Sequence, residues 1–124
     1  MGGRLWDIIK SFRELDVWNK AMELTDLVYE IASNLPQSEK YALGDQIRRA
    51  VVSIPSNIAE GFGRDSHKDF AHFLSIARGS LYEVDTQLEI ALRRGYIKKN
   101  DMITSLMNDV SKMLSVLSKR LRST

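Results

Sequence analysis

A chain of 124 residues supports one domain with one core and is too short for two comfortable ones. The absence of cysteine excludes a disulfide framework and thiolate metal sites, and it fits a reducing cytoplasm. A composition of 44% hydrophobic and 27% charged residues with a formal net charge of +2 is that of a soluble globular protein. The charge is uneven: residues 1–62 carry seven Lys/Arg against nine Asp/Glu, and residues 63–124 carry eleven against seven. No apolar run approaches the roughly 20 residues of a membrane span, and the start, MGGRLWDIIK, lacks the long apolar stretch of a signal peptide. Residues 1–11 read as an N-terminal extension, partly ordered or tag-derived, and residues 12–124 as the domain.

In chain order, the first helix is expected from about Asp16 to Asn34. Trp18, Ala21, Leu24 or Thr25, Val28 and Ile31 form its apolar stripe, Asp16 can cap it, and Pro36 ends it. The second is expected from Ser38 or Tyr41 to about Phe62, with Leu43, Ile47, Val51, Ile54 and Ile58 on its core side. Pro55 lies inside it and removes one backbone donor, so a kink is expected there. Gly61 and Gly63 then break the helix. Ser66, with Asp69 three residues later, resembles a capping box that opens the third helix. Phe70, Leu74, Ala77, Leu81, Val84, Leu88 and Ala91 follow at alternating spacings of four and three, a bundle seam.

Gly95 is placed to stop that helix with a left-handed residue. Asn100 or Asp101 caps a fourth helix whose seam is Ile103, Leu106, Val110, Met113, Leu117 and Leu121. Short connections make neighbouring helices antiparallel. The fold class is therefore all-α: an up-and-down antiparallel four-helix bundle, its second helix kinked at Pro55. Tyr29, Tyr41, Phe62, Phe73 and Ile76 lie off the tidiest seams, and they read equally as core edge or as a subunit interface.

Little here points to catalysis. Two-metal bundles need two Glu-x-x-His pairs plus further glutamates, and this chain offers one Asp69-x-x-His72. His67 and His72, five residues apart, should diverge on a helix. The glycines at 61 and 63 form no phosphate loop, since no strand precedes them and no Gly-Lys-Ser/Thr follows. No metal, no cofactor and no enzymatic activity are expected.

Two sets of polar residues remain. Gln46, Arg49, Ser53, Asn57 and Glu60 recur at helical spacing beside the core stripe. Gln46, Arg49, Asn57 and Glu60 can bond across to Ser80 and Glu83, where small Gly79 and Ser80 allow close approach; such a network fixes register. Of the adjacent Arg48 and Arg49, one faces outward. The second set is cationic: Arg93, Arg94, Lys98 and Lys99 gather at a helix end and the following loop, and Arg48, Arg64 and Arg78 can assist them in meeting phosphates. The plain alternative is a solvated surface with cations favoured at helix C-termini.

The segments QIRRAVVSIPSNIAEGFGR (46–64) and FLSIARGSLYEVDTQLEIALRRGYI (73–97), with Val17, Trp18 and Ala21 before them, resemble the four-helix bundle proteins encoded in intervening sequences of bacterial large-subunit ribosomal RNA genes. The resemblance runs from about Phe12 to Leu121. Members of that family are similar to the accessory variability determinant proteins of diversity-generating retroelements. The resemblance implies a ring-shaped homo-oligomer, a pentamer, with a basic surface. It implies RNA or DNA as a partner, and a reverse transcriptase or another protein as a second. The alternative function is a protein–protein adaptor with no direct nucleic-acid role.

Overall fold

The computed structural model describes residues 5–123. A short helix α1 (Leu5–Ile8) precedes four long ones: α2 (Asp16–Ser33), α3 (Leu43–Phe62), α4 (His67–Arg93) and α5 (Asp101–Arg122). There is no strand among the described residues. Helix α2 packs on α3 and α5, and α4 packs on the same two, which closes an up-and-down bundle. Residues 1–4 of the expected N-terminal extension lie outside the described residues.

Helix starts follow side-chain chemistry where a cap is available. Ser66 accepts from the Asp69 amide at 3.1 Å to open α4, and Asn100 Oδ1 accepts from the Ile103 amide at 3.1 Å to open α5. Asp16 does not cap α2 as expected; Leu15 holds that position with no side-chain bond, and Asp16 is the first helical residue. The reason lies upstream. Ser11 and Glu14 form their own capping box around a tight 3-10 turn, Phe12–Glu14, which feeds directly into the helix. Likewise α3 starts at Leu43, after a separate 3-10 turn at Gln37–Glu39. It then runs through the buried Pro55 as one continuous helix.

The seam of α4 is buried at every expected position from Phe70 to Ala91. That of α5 is rotated: Leu114 and Ser118 are buried, while Met113 and Leu117 pack at the core edge. Both sets run from Ile103 to Leu121 in five steps averaging the α-helical 3.6, so the period does not choose between them; the packing of α5 against α2 and α4 does. Of the residues off the seams, Phe62 packs at the core edge and Phe73 is half-buried, whereas Tyr29, Tyr41 and Ile76 are exposed.

Gly61 does not break α3; it lies inside the last turn, at a close approach to α4. A Cβ there would sit 2.7 Å from Phe73 Cβ and 2.9 Å from Phe70 Cδ1. Gly79, expected at a close approach, has nothing within 4 Å of the position a Cβ would take. Gly61→Ala is therefore expected to force α3 and α4 apart locally and cost about 1–3 kcal/mol in denaturant unfolding. An unchanged midpoint would show that this contact is slack.

Candidate nucleic-acid interface

Helix α4 ends in a backbone motif that fixes the cationic loop. Gly95 is the one described residue with positive φ, at 73°. Its N–H donates to Leu92 O at 3.0 Å, and the Tyr96 N–H donates to Ala91 O at 2.9 Å. These bonds close the helix as a Schellman turn, which a side chain at Gly95 would strain. The Tyr96 hydroxyl then donates to Glu39 Oε2 at 3.3 Å and ties the loop to the 3-10 turn before α3. Ile97 packs against the core and Asn100 caps α5. Held at these points, the loop presents Lys98 and Lys99 to solvent beside Arg93 and Arg94, all four exposed.

These four charges are not all free to act. Arg93 Nε donates to Glu89 Oε2 at 2.9 Å, an exposed pair that stabilises little but competes for phosphate. Arg94, Lys98 and Lys99 make no ion pair among the described residues. Below them lies a cavity of about 340 Å³ with an apolar floor of Leu88, Leu92, Ile97 and Ile103. Asp85 and Glu89 share its rim with the two lysines, so its field is mixed.

The other three candidate arginines have structural occupations. Arg48 is half-buried; its Nη2 donates to Lys40 O at 2.9 Å and to Asp45 Oδ1 at 2.8 Å, which secures the loop before α3. Arg64 pairs with Glu60 at 3.0 Å and lies 4.6 Å from the Phe73 ring centroid, at the end of the bundle away from Lys98. Arg78 Nη1 donates to Ser115 Oγ at 3.0 Å and bridges α4 to α5 midway. The structure thus places Arg93 and Arg94 at the end of α4 and Lys98 and Lys99 on the loop that follows, and leaves Arg64 and Arg78 apart from them.

The polar stripe is narrower than its spacing suggests. The direct bond between α3 and α4 is Ser53 Oγ to Ser80 Oγ, 2.7 Å. Asn57 Nδ2 donates to Ser53 O at 2.7 Å and Ser53 Oγ at 2.9 Å, so it supports that bond from within α3. Gln46, Arg49, Glu60 and Glu83 are exposed, with no bond between the two helices. Glu83 instead accepts from Gln87, whose Oε1 is buried without a partner. Sequence reading missed Gln87, because it sits between Val84 and Leu88 and looks like a flank of the seam. No three His, Cys, Asp or Glu side chains gather as a metal site among the described residues.

The fold and its ends define a class: a closed helical bundle with a cationic loop pinned at one end. The chain belongs to the 23S rRNA-intervening sequence protein family, whose model matches residues 13–119. It is similar to a solved protein of unknown function from the S23 ribosomal protein family of Bacteroides thetaiotaomicron VPI-5482. That likeness has a TM-score of 0.69 and 27% identity, over 86% of this chain and 95% of that one. No curated protein matches the chain. No helix among the described residues is long and apolar enough to cross a membrane.

Proposed function

We propose that this protein is a non-enzymatic subunit of a ring-shaped homo-oligomer, a pentamer, that binds RNA or another nucleic acid through repeated basic patches. The observation that carries this reading is the pinned loop with Arg94, Lys98 and Lys99 exposed and unpaired beside Arg93. A ring repeats the patch, so a small charge per subunit acts multivalently. The polar and apolar residues on the outer side of α4 support self-association. Ile76 and Ile90 are exposed there, with Gly79 and Glu83 between them. If the family's resemblance to retroelement accessory proteins extends to partners, a reverse transcriptase is a candidate, and the cysteine-free composition supports a cytoplasmic location.

A protein–protein adaptor is the second reading. It is favoured by the pairing of Arg48, Arg64 and Arg93 with Asp45, Glu60 and Glu89, which spends part of the positive charge internally. An RNA mobility-shift titration separates the two. Retarded RNA at low salt supports the scaffold, and no binding at any salt leaves the adaptor. Light scattering tests the ring: a monomer mass at micromolar concentration rejects it. Gly79→Ala sharpens that test. The new methyl meets open space within one protomer, so the substitution should stabilise the folded chain by up to about 1 kcal/mol. If the outer side of α4 is the subunit contact, the same change should lower the mass measured on dilution.

A further inference from the structure

The opposite end of the bundle holds a second positive feature, some 26 residues along α4 from Arg93, about 39 Å at 1.5 Å per residue. It is a cavity of about 470 Å³ between the first turns of α4 and the last turn of α5. His67, Lys68, His72 and Ser75 reach it from α4, and Arg122 from α5. Ala71 and Leu121 form its apolar floor. Both histidines line it, although five residues separate them along the helix.

Its composition differs from that of the cavity beneath Lys98. No carboxylate lines it, whereas Asp85 and Glu89 line the other. Lys68 and Arg122 make no ion pair among the described residues. The start of α4 and the end of α5 meet at this end, so their opposed dipoles largely offset and the side-chain charges set the field. A cradle with two cations, a hydroxyl and an imidazole offers charge-assisted donors from several directions, with no carboxylate in its lining among the described residues.

We propose that this cavity binds a phosphate group in its dianionic form, with Lys68 and Arg122 supplying the fixed charges and His72 and Ser75 the directional hydrogen bonds. Two cations match a dianionic phosphate better than the single charge of an internal phosphodiester. The group has two sources of the same chemistry, inorganic phosphate and the terminal phosphate of an RNA strand. Neither depends on the loop at Lys98.

The test follows the His72 ring resonances of the full chain by NMR, assigned with His72→Asn. The probes are inorganic phosphate and one short RNA, prepared with a 5′-phosphate and with a 5′-hydroxyl. Saturable shifts are expected with phosphate, with the phosphorylated RNA, or with both. Phosphate alone identifies a free-anion site, and a preference for the phosphorylated RNA identifies a strand end. Lys68→Gln and Arg122→Gln should each weaken binding about tenfold, and the pair more, with helical content unchanged by circular dichroism. Reversing the far cluster at 93, 94, 98 and 99 should leave the phosphate response intact. No shift with any probe overturns the proposal. So does unchanged affinity in the folded double variant, or equal binding of the two RNAs with inorganic phosphate silent.

Discussion

Phe70→Ala is expected to cost about 3–5 kcal/mol in chemical denaturation, a large part of the roughly 5–15 kcal/mol typical of a domain. Phe70 is fully buried and meets the Phe62 ring edge-on at a centroid distance of 6.1 Å. It also fills the space against Gly61, where the α3 backbone comes close enough that even a methyl would not fit. Truncating the ring removes its contact with the Phe62 ring and leaves a cavity bounded on one side by the Gly61 backbone. Backbone collapses into a cavity less readily than side chains do, which puts the cost at the upper end for a core change. A loss under about 0.5 kcal/mol would mean that the α3–α4 turn is not part of the cooperative core.

The second large effect concerns function. Reversing Arg93, Arg94, Lys98 and Lys99 to Glu together is expected to lower RNA affinity at least about 100-fold at low salt, with the bundle still folded. All four side chains are exposed, so the fold loses only the surface pair of Arg93 with Glu89. Neutralising Arg48 instead should cost stability before affinity, because its guanidinium holds Lys40 O and Asp45. A mobility-shift assay on both variants, beside circular dichroism, reads the difference. Equal RNA affinity in wild type and the fourfold variant would remove the patch from the account.

The bundle was legible because its information is periodic. The α4 seam needs only apolar spacing to be read, and Gly95, Ser66 and Asn100 announce helix ends through chemistry that acts within three or four residues. Errors arose where a long-range contact decides. Ser118 is buried in α5, but its polarity hid it from an apolar count. Gly61 and Gly79 look alike in sequence, and only the approach of α4 separates them. Arg48, Arg64 and Arg78 look as available as Lys98 until their partners are placed. The charge run at 93–99 marked one end of the molecule. The cavity at the other end draws its cations from residues 67–72 and from residue 122, which no local pattern joins.

The most direct test of the nucleic-acid reading is the salt dependence of wild-type binding to a single-stranded RNA. Four cations meeting phosphates should give a slope of about −3 in log affinity against log salt for each patch engaged, with little dependence on base sequence. The account predicts that slope, and a shallower one for the Lys98 and Lys99 double reversal. A slope near zero, or no binding at the lowest salt tested, would contradict it.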